Sequence, residues 1–239
     1  MKKIISFTTI PSRINKIQNM VESILNQTTK PDEIILWVGE NYKRVDGTNI
    51  DIPNFLKQSD IKVKFCEDIG PFTKLYYSLK EKWDEKETII VTVDDDVYYP
   101  PNWFGNLINA SIERPNSAIG YRGRTLNGDK LNYNNSTLFL GSPNGKPKKV
   151  DIITGTWGGL YKPKFFNEEI FNHNVINDNF FVDDIWITGN LCNNSIERVI
   201  IKNVGIKPLM GVSNIDSLWS LNKLSENNNK MLKYFKDKI

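Results

Sequence analysis

Histidine and cysteine are nearly absent, with one His, His173, and two Cys, Cys66 and Cys192, among 239 residues. Two thiols cannot build a disulfide framework. A single imidazole argues against a His-based zinc site or a Ser-His-Asp triad. His173 lies between Asn172 and Asn174 and reads as an exposed loop residue, and the two cysteines read as small core residues. Glycine-rich phosphate signatures are missing too. No Gly-x-Gly-x-x-Gly follows the first apolar run, no loop ends in Gly-Lys-Ser/Thr, and there is no Gly-x-Ser-x-Gly elbow. No stretch approaches the roughly 18 apolar residues of a membrane span. Charge of one sign is not in excess: 31 basic against 28 acidic residues leave +3 with no basic stripe, which argues against a nucleic-acid partner.

What is present suffices for one core without staples. Met-Lys-Lys precedes Ile4–Pro11, but that run is short, contains hydroxyls and has no cleavage site, so it reads as a first strand rather than a signal peptide. The expected compartment is the cytoplasm. Ile17, Met20, Val21, Ile24 and Leu25 recur with helical spacing, and Glu33–Val38 and Ile61–Cys66 read as strands. Phe72, Leu75, Tyr76, Leu79 and Trp83 form a second helical face. Thr88–Val93 is the most strand-like run, and Phe104, Leu107, Ile108 and Ile112 give a third helix within Pro101–Glu113. Ser117–Tyr121 and Ile196–Lys202 read as further strands, Asp184–Asn194 and the tail from Leu218 as helices. Strands alternating with helices predict an α/β fold with a mainly parallel sheet, whose ligand edge lies at the strand carboxyl ends. Residues 1–239 read as one domain, with a regular half to about 122 and an irregular half from 123. Asn127-Gly128 and Asn144-Gly145 mark 123–149 as hairpins or a mobile flap.

Three acidic features carry chemistry. Thr88–Val93 runs directly into Asp94-Asp95-Asp96, and strand alternation would point Asp94 and Asp96 the same way. Paired carboxylates at a sheet edge suit a hard divalent cation, Mg²⁺ or Mn²⁺; a solvated acidic turn before Pro100-Pro101 accounts for them too. Asp183-Asp184 opens a helix, where capping explains a carboxylate and partial burial would make one a base. Asp68 and Lys74 flank Gly70-Pro71 between strand and helix, placed for a nucleoside hydroxyl and a phosphate, or forming a plain turn.

Taken in order, these features resemble the GT-A glycosyltransferases, in particular bacterial family 2-like enzymes of capsule and lipopolysaccharide synthesis. The resemblance runs from Ser6-Phe7-Thr8-Thr9-Ile10-Pro11-Ser12-Arg13 through Ser23-Ile24-Leu25-Asn26-Gln27 and the Asp94–Asp96 run to Thr154-Gly155-Thr156-Trp157-Gly158-Gly159 and Asp183-Asp184-Ile185-Trp186. It implies a GT-A fold and an inverting transfer from a nucleotide-diphosphate sugar, a UDP-sugar favoured, to a saccharide, glycan or lipid-linked acceptor. Thr8, Thr9, Arg13, Asp68, Lys74, Asp94 and Asp95 would bind the donor, and Asp96 with Asp94 would hold Mn²⁺ or Mg²⁺. Asp184 would be the general base with Asp183 beside it, and Trp157, Gly158, Gly159 and Trp186 would meet the acceptor. Peripheral association with the inner face of the plasma membrane would be compatible with that role. Two departures stand out: the acidic pair is Asp-Asp rather than Glu-Asp, and no histidine follows Asp184. A sugar nucleotidyltransferase would need glycines where Ile10-Pro11-Ser12-Arg13 stands. A cation-dependent carbohydrate-binding protein would suit a purely β pattern better. Tyr133, Trp157, Tyr161, Trp186 and Trp219 are divided between sugar stacking and core, with core expected for at least half.

Overall fold

The computed structural model describes residues 1–42, 50–128, 131–172, 182–213 and 226–239. His173 and Trp219 lie outside the described residues. The regular half builds β1 (Lys3–Thr8), α1 (Gln18–Leu25), β2 (Glu33–Gly39), α2 (Asn54–Lys57), β3 (Ile61–Cys66), α3 (Thr73–Glu81) and β4 (Ile89–Thr92). There follow β5 (Val97–Tyr98), α4 (Trp103–Glu113), β6 (Ser117–Gly120), β7 (Gly123–Leu126), β8 (Ser136–Phe139), β9 (Lys148–Lys149), β10 (Ile152–Ile153) and β11 (Gly159–Tyr161). The chain closes with α5 (Asp183–Asn193), β12 (Glu197–Ile200), β13 (Lys207–Pro208), α6 (Met210–Ser213) and α7 (Asn227–Tyr234).

One sheet of eight strands, ordered β3-β2-β1-β4-β11-β6-β12-β9, runs through the molecule. β3, β2, β1 and β4 are parallel; β11 lies antiparallel between β4 and β6. The fold is therefore α/β with a large mixed sheet flanked by helices, compatible with a Rossmann-like architecture. β1, β2 and β4 are almost wholly buried, which explains their unbroken apolar runs: helices cover both faces, so no face needs polar residues. α1 and α4 pack with Ile5, Phe7 and Val91 on one face; α3 and α5 pack with Ile90 on the other. Ile112 departs from the expected apolar stripe of α4 and stands 63% exposed, while Trp103 takes a fully buried place.

The Ser23–Gln27 pair has a structural reason. The buried Gln27 amide donates to the carbonyls of Ser23 (2.8 Å), Pro100 (3.0 Å) and Tyr99 (3.2 Å), and its oxygen accepts the Phe104 N–H (2.9 Å). The Ser23 hydroxyl accepts the Tyr99 N–H at 3.2 Å. α1 is thereby fastened to the segment that follows Asp94–Asp96 and to the first turn of α4, satisfying an otherwise orphan helix donor.

Within 123–149 the described residues form a hairpin of β7 and β8. β7 pairs antiparallel with β8 and with β10, β9 pairs with β12, and Ser142 N–H bonds the Ile201 carbonyl. Gly128, Asn144 and Gly145 adopt positive φ, as the two Asn-Gly turn signals require. No helix among the described residues is long and apolar enough to cross a membrane.

Candidate active site

The order of the sheet locates the site. From β1 the chain steps outward to β2 and β3, then returns to the opposite side of β1 as β4. At such a reversal a crevice opens beyond the strand carboxyl ends, and ligands of open α/β sheets bind there. β11 runs antiparallel to β4 with Gly159 opposite Thr92, so residues 155–158 arrive at the same edge. β6 runs parallel to β12 and antiparallel to β11, so Arg122 just beyond it emerges there as well.

Side chains from the ends of β1 and β4 lock together across the crevice. Thr9 Oγ1 donates to Asp95 Oδ2 at 2.6 Å, and Arg13 Nη1 donates to Asp95 Oδ1 at 2.8 Å and lies 3.4 Å from Asp96 Oδ2. The expected alternation of the triplet does not hold. β4 stops at Thr92, so the pleat does not continue into the acidic run; Asp95 and Asp96 converge on one guanidinium nitrogen while Asp94 turns to Lys74. Thr8 is spent elsewhere, its hydroxyl donating to the Trp37 carbonyl at 2.8 Å.

Lys74 is 5% exposed. Its ammonium lies 2.6 Å from Asp94 Oδ1 and 3.4 Å from Asp183 Oδ2, and its backbone carbonyl accepts the Ser6 hydroxyl. It joins the acidic triplet to the start of α5. Burial alone would push the Lys74 ammonium down, yet Asp94 and Asp183 together hold it well above the ordinary lysine range.

Asp184 comes from the first turn of α5, and its Oδ1 accepts the Gly155 N–H at 2.8 Å. A Cβ on Gly155 would stand 3.3 Å from that oxygen and 3.8 Å from Lys74 Nζ, so this glycine lets the loop approach both charges. Burial, then Asp183, pushes the Asp184 carboxyl up to about 7; the Gly155 N–H and Lys74 pull the other way. Burial and the Asp94 charge also raise Asp183, against Lys74. Asp96 is pushed up to about 7 by burial and by Asp94 and Asp95, with Arg13 opposing. Five carboxylates (Asp94, Asp95, Asp96, Asp183 and Asp184) thus face two cations, Arg13 and Lys74.

Toward β2 and β3 lies a smaller polar wall. Asp68 Oδ1 accepts the Gly70 N–H at 2.9 Å, and the Tyr42 hydroxyl accepts the Gly39 N–H and donates to the Thr9 carbonyl, both at 3.0 Å. A Cβ on Gly39 would come within 2.9 Å of Asp68, so glycine at the end of β2 keeps this wall in place.

The acceptor-side expectations divide. Trp157 is partly buried and its carbonyl accepts the Trp103 indole N–H at 2.9 Å. Gly158 has φ +101° and packs its backbone on the Trp103 ring, and Gly159 is buried in β11. Trp186 is fully buried, with its N–H on the Ile170 carbonyl at 3.1 Å, so its indole anchors α5. Tyr161 is buried as well, whereas Tyr133 is only partly so.

Sequence reasoning missed Tyr42, Tyr99, Gly155 as a close-approach residue, Arg122 and Arg124. Tyr99 is held by burial far above the ordinary phenol range; its hydroxyl accepts the Asp94 N–H at 2.9 Å and lies 3.3 Å from the Thr156 carbonyl. Only Arg122 left a usable signal, standing directly after a strand that ends on the ligand edge.

No protein-family model matches the chain, and a search of curated proteins finds no match. The geometry therefore stands by itself.

The carboxylate set can be tested against a cation. No group of three or more His, Cys, Asp or Glu among the described residues is arranged to hold a metal by itself. Mg²⁺, however, keeps several waters and is typically bound through one or two carboxylates together with substrate phosphates. The all-oxygen donor set and the excess of carboxylates over cations around Asp94, Asp95 and Asp96 fit that partial mode of binding.

Proposed function

We propose that the protein is an inverting, metal-dependent GT-A glycosyltransferase that moves a sugar from a nucleotide-diphosphate sugar, UDP-linked by preference, to a hydroxyl of a saccharide, glycan or lipid-linked acceptor. The observation that carries this reading is the division of the carboxylates. Asp94–Asp96 sit at the strand-order reversal, while Asp184 approaches from the start of α5, joined to them through Lys74 and Asp183. A donor held by the triplet would present its anomeric carbon toward Asp184.

Asp68, Tyr42 and Thr9 form the wall for the nucleoside. Arg13 holds Asp95 in place, and Asp96 with Asp94 would hold Mn²⁺ or Mg²⁺ against the diphosphate. A bound cation of this kind supplies Lewis-acid stabilisation of the charge that builds on the leaving group. Asp184, poised near 7, takes the proton of the acceptor hydroxyl as its oxygen bonds to the anomeric carbon and the bond to the diphosphate breaks. The Gly155 N–H keeps the Asp184 carboxylate aimed, and Lys74 pairs with Asp183 beside it. Inversion of the anomeric centre is what the resemblance to the GT-A enzymes implies for a single displacement with Asp184 as base.

The test is nucleotide release and transfer with a panel of UDP-, GDP-, CDP- and dTDP-sugars plus Mn²⁺. One donor should turn over, with the product anomer inverted by NMR, and Asp184→Asn should lower the rate by about 10²–10⁴-fold. Retention of configuration, or full activity in that variant, would contradict the mechanism.

A further inference from the structure

Arg122 lies just before β7 and Arg124 within it, and Arg122 reaches Thr156, the neighbour of the Gly155 that contacts Asp184. Each arginine is only partly buried, yet each Nε atom is enclosed and lacks a hydrogen-bond partner. Arg122 Nη1 donates to Thr156 Oγ1 at 3.1 Å, and Arg124 Nη1 donates to Ser136 Oγ at 2.8 Å. Neither has a carboxylate within ion-pair distance among the described residues. Arg13 and Arg114, by contrast, are paired with Asp95 and Glu197. Arg198 spends its donors on the carbonyls of Asp151 and Ile196.

The two guanidinium groups also share a neighbour with the base. Arg124 lies over the Tyr133 ring at 4.7 Å. Burial pushes the Tyr133 phenol up, Asp184 adds to that, and Arg124 and Arg122 oppose it, so the base and both arginines act on one ring. Thr156, which Arg122 holds, is the residue after Gly155, the Asp184 contact. A guanidinium carries five N–H donors in a planar fork, matched in shape to a carboxylate or a phosphoryl group. Arg122 is committed to the Thr156 hydroxyl and Arg124 to the Ser136 hydroxyl and Tyr133, so two guanidinium groups stand close to the base without a carboxylate to neutralise them.

We propose that Arg122 and Arg124 form an anion subsite on the acceptor side, and that the acceptor is a saccharide bearing a carboxylate or phosphoryl group near the reacting hydroxyl. This deepens the transferase reading and rests on it for the word acceptor; the anion preference itself does not.

Titration calorimetry of the full chain with methyl glucuronide, glucose 6-phosphate and methyl glucoside tests it, run with and without UDP and Mn²⁺. At least one anionic probe should bind about tenfold or more tighter than methyl glucoside, and the stronger of the two names the source of the charge. Arg122→Gln and Arg124→Gln should each weaken that probe by about 10- to 100-fold, the scale of a lost hydrogen bond to a charged group. Methyl glucoside should be unaffected, and Arg122→Lys should recover part of the loss. Unchanged melting temperatures in the variants separate this from misfolding. Equal binding of charged and neutral probes, or no binding of the charged ones, overturns the proposal. So does loss of a UDP–Mn²⁺ melting shift in the Gln variants with charged-probe binding intact, which would assign the arginines to the donor. If wild type shows no nucleotide shift, the transferase reading fails, and the titration without nucleotide still decides the anion subsite.

Discussion

Two side chains, Asp184 and Lys74, set most of the expected behaviour at the residue scale. A general base titrating near 7 must be ionised to act, so kcat should fall about tenfold per pH unit below that value and level off above it. A flat profile between pH 5 and 8 would remove Asp184 from the role. Stability moves the opposite way. The folded carboxyl holds its proton up to about 7 while the unfolded one releases it near 3.8, so folding loses stability as pH rises through that window. Asp184→Asn should therefore melt higher than wild type at pH 8 by several degrees, and the gap should close toward pH 4. Lys74→Met leaves Asp94 and Asp183 uncompensated in a buried place, a change that costs about 3–5 kcal/mol. Adding Asp183→Asn to Lys74→Met should cost less than the two single changes summed, because each removes the other's partner. Strict additivity in thermal unfolding would show that the 3.4 Å contact carries no energy.

Among elements, the joints around the site matter more than the strands. Gln27 ties α1, the segment after the acidic triplet and α4 through one amide, so Gln27→Ala should destabilise by about 2–3 kcal/mol by leaving buried partners unsatisfied. Gly158 needs positive φ, and a Cβ there would lie 2.5 Å from the Trp103 ring; Gly158→Ala should lower the melting temperature and disturb the loop that carries Gly155 and Thr156. A variant melting like wild type would show that the ring can yield. The strands and helices of the regular half were legible because doubly covered strands leave long apolar runs and amphipathic helices leave a 3.6-residue period. β11 was less so: three residues broken by glycines carry little pattern, and its antiparallel place between β4 and β6 depends on partners remote in sequence. Asp95 and Asp96 sharing Arg13 was equally invisible, since alternation holds only while the strand continues.

For the whole molecule, the sheet brings together what the sequence keeps apart: Arg13, Lys74, Asp94, Gly155 and Asp184 come from separate segments and meet at one edge. All five carboxylates of the site were legible in the sequence, because acidic runs after strands and at helix starts are local signals. A local reading offers Lys74 to a phosphate, and the fold pairs it with Asp94 and Asp183. That reading passed over Arg122 and Arg124, whose missing partners only a folded chain reveals. The central claim is that this edge binds a nucleoside diphosphate together with a divalent cation. Thermal unfolding with UDP, GDP, CDP and dTDP, each with and without Mn²⁺, tests it in wild type and Asp96→Asn. A ligand at a hundred times its dissociation constant adds about 2.7 kcal/mol, which for a chain of this size is a shift of about 5–10 °C. The account predicts that shift for one nucleotide, UDP first, only with Mn²⁺ and not in Asp96→Asn; no shift with any of the four, or an equal shift in the variant, would contradict it.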